Sequence, residues 1–225
     1  MRYWHFLAAV GLGLVALAFL QGGWAWLAAW VGFDYLAFAY AHARGVHRLF
    51  GKRADGTLPL WAWIVFLPML AYMHAVWRIA CLARQKPALS RVDESLSIGR
   101  RLLASELHET FDNYVDLTAE FAEPAALRSC AAYRCLPVLN DSAPAPEALH
   151  ALVASLKPGR TYVHCGRGYG RSALLALAML LSSGRVRTVD EGLQILGTVR
   201  PGVRLNREQQ RFATIYANLY AGGKP

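Results

Sequence analysis

Hydrophobic positions along the chain follow two different rhythms. Up to about residue 84 they run almost without interruption, and beyond it they come in strand-length runs alternating with helical stretches. Phe6 to Leu20 carries no charge, Gln21-Gly-Gly23 breaks the run, and Trp24 to Tyr40 is again apolar except for Asp34. Arg44 to Gly56 is polar and basic. Leu58 to Ala83 is a third apolar stretch, with Pro68 and His74 inside it and Arg78 near its end. A membrane-spanning helix needs about 20 apolar residues, and the third stretch satisfies this. The first two make either a tight helical hairpin or one span plus an interfacial segment. Trp24, Trp26, Trp30, Trp61, Trp63 and Trp77 are placed like interfacial anchors. Asp34 reads as a group near an interface and His74 as a packed or snorkelling side chain, in preference to intramembrane functional groups. Arg2 and the run behind it also fit a cleaved signal peptide, but the apolar pattern continues past any cleavage point, which favours an uncleaved anchor. Residues 1–84 are therefore expected to be an α-helical transmembrane region of two to three spans.

Residues 85–96 read as a polar linker, and 97–222 as a separate domain. Strands are predicted at Ser97 to Leu102, Tyr114 to Leu117, Cys135 to Leu139 and Thr161 to His164. Helices are predicted over Thr118 to Ala132, from Pro146 to Leu156, and from Arg171 to Ser183 before Gly184. Two more open on the capping sequences Thr188-Val-Asp-Glu191 and Asn206-Arg-Glu-Gln209. Strands alternating with helices predict an α/β domain with a largely parallel central sheet flanked by helices.

The formal charge of +9, carried by 20 Arg and 4 Lys against 15 acidic residues, suits an anionic partner. Zinc-finger spacing, RNP-like aromatics and a basic helix are all missing from the sequence, so nucleic acid is set aside. The scatter of Cys81, Cys130, Cys135 and Cys165 does not resemble a disulfide framework and suits a reducing compartment. Arg44, Arg48, Lys52 and Arg53 precede the third apolar stretch, and Arg84, Lys86 and Arg91 follow it. Charge bias therefore does not orient the chain. Cysteines kept as free thiols favour the reducing side, and the expectation is a multi-pass protein of the cell membrane with its C-terminal domain in the cytoplasm.

The most informative stretch is Thr161 to Ser172: a strand, His164-Cys165, five residues, Arg171-Ser172, then an apolar helix. Gly166, Gly168 and Gly170 let a loop turn its N–H groups inward. Such a nest, continued by a helix N-terminus, binds a phosphate dianion. The same field lowers the pKa of a cysteine at its base. In this reading Cys165 is the nucleophile and the Arg171 fork grips phosphate oxygens. Ser172 donates to the sulfur, and His164 orients the cysteine from behind. Arg167 adds charge at the rim, and Tyr169 completes the loop. Asp141, on a Pro-containing loop after a strand, is the candidate acid for the leaving oxygen. Asp116 competes for that role but looks structural.

His164-Cys165-X5-Arg171-Ser172 resembles the signature of the protein tyrosine phosphatase superfamily, in its compact dual-specificity branch. Asn140-Asp-Ser-Ala-Pro144 is similar to the general-acid loop of the phosphatases of regenerating liver. Arg200-Pro201 with Asn206-Arg-Glu-Gln209 resembles the family's final segment, and Val115-Asp-Leu-Thr-Ala-Glu-Phe121 an early strand-turn of bacterial members. The resemblance covers roughly residues 95–218. It implies a metal-free, cofactor-free phosphoenzyme mechanism. Gln209 and Gln210 are the two candidates for the glutamine that positions water in classical tyrosine phosphatases, although both read more readily as helix surface or packing. The implied substrate is a phosphoprotein (Tyr or Ser/Thr) or a phospholipid headgroup phosphate, with the membrane as the other partner. The alternatives are a catalytically weak phosphate-binding regulator of a membrane partner and, last, a cysteine redox protein pairing Cys165 with Cys130 or Cys135.

Overall fold

The computed structural model describes residues 3–83, 87–130 and 132–221. Arg2, Arg84, Lys86 and Gly222, on which parts of the sequence reading rest, lie outside the described residues. The first two apolar runs form a tight helical hairpin of α1 (Tyr3–Gln21) and α2 (Trp26–Arg44). The turn between them uses left-handed backbone at Gly22 and Gly23 (φ 63° and 54°), which glycine adopts without steric cost. Gly11 and Gly32 face each other across the hairpin. A Cβ on either would come within 2.8 Å of the other's carbonyl oxygen, so the two backbones are in direct contact.

The third apolar stretch is not one span. It breaks into α3 (Leu60–Val65) and α4 (Leu67–Leu82) at Phe66. Pro68 explains the break, because its ring would clash with the carbonyl four residues earlier and it has no N–H to continue the ladder. Asp34 is buried and accepts a hydrogen bond from the Met69 N–H at 3.0 Å, which supplies a partner to the opened end of α4. Among the described residues, α1 alone is both long and apolar enough to cross a membrane, by length and composition. The multi-pass expectation is thus not supported.

The second half is a five-stranded sheet of β1 (Leu89–Arg91), β2 (Leu96–Arg100), β3 (Asn113–Thr118), β4 (Tyr133–Val138) and β5 (Thr161–Cys165). The strand order is β1-β2-β5-β3-β4, and only the β1–β2 pair is antiparallel. The edge strand β1 lies within the segment read as a linker. The helices are α5 (Ala125–Arg128), α6 (Pro146–Ala154), α7 (Arg171–Ser182), α8 (Val189–Val199) and α9 (Arg207–Tyr216). Thr188 caps α8 and Asn206 caps α9, each accepting the N–H three residues on.

The helix expected over Thr118 to Ala132 shrinks to the four residues of α5. Backbone groups of the segment before it bond outward instead: Arg101 to the Ala122 carbonyl, Arg128 to the Glu123 carbonyl, and the Glu123 N–H to the Gly56 carbonyl. α7 is buried along nearly its whole length and packs on Ile98, Val115, Leu117 and Val163 of the sheet.

The two halves share a core. Ala119 and Leu139 of the sheet domain pack with Leu7, Phe38, Phe50, Phe66 and Leu70, and Phe121 packs with Trp77 and Cys81. The basic loop between α2 and α3 sends Lys52 into the sheet domain. There its fully buried ammonium pairs with Asp116 and donates to the Thr118 hydroxyl at 2.8 Å.

Candidate active site

The loop from Cys165 to Arg171 joins the C-terminal end of the central strand β5 to the N-terminus of α7, where unpaired N–H groups and the helix dipole favour negative charge. Cys165 is buried at 4% exposure. Its sulfur accepts the Gly168 N–H at 3.2 Å and lies 3.6 Å from the Ser172 hydroxyl. Burial alone would raise this thiol. The Arg171 charge and the hydrogen bonds from Ser172 and Gly168 outweigh it and hold the pKa below the ordinary cysteine value.

Gly168 has φ 80°, and a Cβ there would lie 2.4 Å from the Gly99 carbonyl carbon, so only glycine fits where the loop crosses β2. Outside the loop, buried Arg200 receives the carbonyls: Nε donates to Gly168 O at 2.8 Å and Nη2 to Arg167 O at 3.2 Å. Its guanidinium also lies 5.0 Å from the Tyr169 ring centre. With these carbonyls bonded to Arg200, the Gly168 N–H is directed to the Cys165 sulfur. Arg167 itself is exposed at the rim.

Arg171 is fixed by acceptors around its fork. Nη1 and Nη2 donate to the two Glu120 oxygens at 2.8 and 2.6 Å, Nη1 to Val138 O at 2.7 Å, and Nη2 approaches the Asn140 side-chain oxygen at 3.5 Å. Its Nε has no partner among the described residues. Burial pushes Glu120 up, but the Arg171 charge overrides this and keeps it ionised.

Asp141 is exposed and is the only non-glycine residue with positive φ (61°) among those described. Its left-handed backbone is held by neighbours. Asn140 Nδ2 bonds its carboxylate at 2.8 Å, and Asn206 Nδ2 bonds its carbonyl at 2.7 Å. Gln209, buried within the α9 cap, donates to Ser142 O at 3.1 Å and sits against Gly170. The Ser142 hydroxyl is 3.3 Å from His47 Nδ1. The 139–144 loop is thereby tied to the cradle, to α9 and to the N-terminal half.

His164 faces the other way from Cys165, as successive strand residues must. Its ring stacks on Tyr162, and its Nε2 is 4.0 Å from a Glu123 oxygen. Burial lowers its pKa to about 4. Glu123 is raised to about 7 by burial and by the nearby Asp116 charge. Asp116, His164 and Glu123 offer atoms within 4.8 Å of one another, a spacing a metal could use. The chain's own cations already fill that role: Lys52 pairs with Asp116, and Arg101 Nε binds Glu123 at 2.8 Å. Asp116 also accepts from the Tyr133 hydroxyl at 2.7 Å, which makes it a buried structural group.

The structure therefore gathers Cys165, Gly166, Gly168, Arg171 and Ser172 around one point. It leaves Arg167 at the rim, Tyr169 against Arg200, and His164 on the far face. Glu120, Asn140 and Arg200 were not singled out from the sequence for the positions they hold. For Glu120 a signal existed, since it follows β3, the parallel neighbour of β5, and their C-terminal ends lie together.

Solved structures with a similar fold include phosphatases. Tk-PTP in its active form is 23% identical with a TM-score of 0.52, covering 59% of this chain and 97% of that one. PTPMT1 in complex with PI(5)P is 16% identical with a TM-score of 0.52, covering 60% and 97%. A mouse putative dual specificity phosphatase complexed with zinc tungstate is 22% identical with a TM-score of 0.53, covering 60% and 90%. No family model and no curated protein matches the chain. The sheet domain shares the α/β fold of these phosphatases. Dual-specificity phosphatases are among the structures it resembles in fold.

Proposed function

We propose that this protein is a membrane-associated, cysteine-dependent phosphomonoester hydrolase. The observation that carries the reading is the Cys165 sulfur, below its ordinary pKa, at the floor of a loop whose outer carbonyls are tied to Arg200. In the first step the Cys165 thiolate attacks phosphorus. The P–O bond to the leaving group breaks as the P–S bond forms, and Asp141 delivers its proton to the departing oxygen. In the second step water attacks phosphorus and Asp141 takes back a proton. The P–S bond then breaks, releasing inorganic phosphate and the thiolate, whose charge Ser172 stabilises. The loop N–H groups and the Arg171 guanidinium hold the equatorial oxygens through both steps. Glu120 sets the direction of Arg171, and His164 is a packing residue behind the strand. The apolar exposed helix α1 supports membrane association.

Phosphate release by the detergent-solubilised full chain tests this reading. Cys165→Ser is expected to remove turnover of p-nitrophenyl phosphate while phosphate binding persists. Equal turnover by wild type and Cys165→Ser would overturn the mechanism and return weight to a phosphate-binding regulator.

A further inference from the structure

The cradle is not open to solvent on all sides. A cavity of about 310 Å³ runs from it into the N-terminal helices. At one end lie Gly166, Arg167 and Arg171. At the other lie Leu7 of α1, Phe38 of α2, and Met73 and Val76 of α4. Tyr3, Tyr35 and Tyr72 also line it, and tyrosine is enriched where membrane meets water; the Glu120 carboxylate in the same lining is already paired with Arg171. One continuous space thus joins an anion-binding end to an apolar end. The apolar end is built by α4 together with the hairpin whose first helix is long and apolar enough to cross a membrane.

We infer that the helical region forms half of the substrate site, and that the substrate is a membrane lipid whose headgroup ends in a phosphomonoester. The phosphate sits on the Cys165 loop and an acyl chain lies along Leu7, Phe38, Met73 and Val76. This inference rests on the phosphatase reading above. Charge complementarity supports it at the polar end: Arg171 Nε, buried and without a partner among the described residues, remains to bind an anion. Apolar complementarity supports it at the other. A phosphopeptide would have to press its backbone N–H and C=O groups against Leu7, Phe38 and Val76, whose side chains offer no hydrogen bonds, and an unpaired buried peptide group is costly. An acyl chain pays no such penalty. Methionine at 73 adds a side chain that adapts to a flexible chain.

The experiment measures kcat/KM of the full chain in mixed micelles for glycerol phosphate, dihexanoyl phosphatidic acid, dioleoyl phosphatidic acid, a phosphotyrosine peptide and p-nitrophenyl phosphate. Each buried methylene is worth roughly a factor of four, so burying three or four predicts that dioleoyl phosphatidic acid exceeds glycerol phosphate by about a hundredfold. Val76→Arg, at a half-exposed position, is expected to lower the ratio of dioleoyl phosphatidic acid to p-nitrophenyl phosphate turnover by about tenfold or more. No dependence on chain length, preference for the phosphopeptide, or an unchanged ratio in Val76→Arg would overturn the lipid inference. Cys165-dependent turnover of p-nitrophenyl phosphate would still leave the phosphatase reading standing. If nothing is turned over, that reading fails by itself. The groove is then judged by calorimetric binding to the Cys165→Ser chain: tighter binding of dioleoyl phosphatidic acid than of glycerol phosphate supports it, and equal or absent binding ends it.

Discussion

Ser172 shows how much one hydroxyl can decide. It is fully buried, 3.6 Å from the Cys165 sulfur, and its hydrogen bonds, with the Arg171 charge, bring the thiol below its usual pKa against the effect of burial. Ser172→Ala removes a donor to the thiolate, so the thiol pKa must rise. The expected outcome is an acid limb of kcat/KM displaced to higher pH. Breakdown of the phosphoenzyme should also slow by about ten- to a hundredfold, since a hydrogen bond to a charged group is worth about 1.5–3 kcal/mol. A pH–rate profile with burst kinetics checks both, and an unmoved acid limb would deny Ser172 this role. At the same scale, Cys165, Arg171 and Ser172 were legible in the sequence because one short segment carries them. Glu120 and Arg200 reach the loop from 51 and 32 residues away, and no local pattern encodes such a meeting.

At the scale of elements, the loop from Leu139 to Pro144 joins the fold to its chemistry. It leaves β4 beside the cradle, takes a left-handed step at Asp141, and is fastened by Asn206 and Gln209 at the head of α9. Fastening at both ends restricts where the Asp141 carboxyl can go. Asp141→Asn is therefore expected to slow esters with poor leaving groups by about a hundredfold and activated aryl phosphates little. Steady-state rates over a leaving-group series read this directly, and equal slowing across the series would reject Asp141 as the acid. Strands β2 to β5 and the two capped helices were legible from local periodicity and caps, whereas the edge strand β1 fell in the segment read as a linker. The stretch after β3 was not, because its carbonyls bond to Arg101 and Arg128 and so never close helical turns. Hydropathy likewise missed the break at Phe66, although Pro68 marks it.

For the whole molecule, the feature that composition hid is the union of the halves. The change of rhythm near residue 84 reads as a boundary, yet Lys52 crosses it to pair with Asp116 at the heart of the sheet domain. Removing one partner of a buried pair leaves the other charge unmatched, at a cost of about 3–5 kcal/mol. Lys52→Met should thus lower the thermal midpoint of the full chain markedly. The double variant Lys52→Met with Asp116→Asn should recover part of the loss. Thermal unfolding followed by circular dichroism separates the two, and additive losses would show that the pair is not coupled.

That shared core also bears on inheritance. A recombination event in the short segment after α4 would give the sheet domain a foreign partner. Phe121, Leu139 and Ala119 would then face side chains they had not been selected against, and Asp116 would lack its lysine. Such chimaeras should be poorly viable, so the helices and the cradle are expected to descend together. Drift at Lys52 or Phe38 would be answered on the other side of the junction, at Asp116, Ala119 or Leu139.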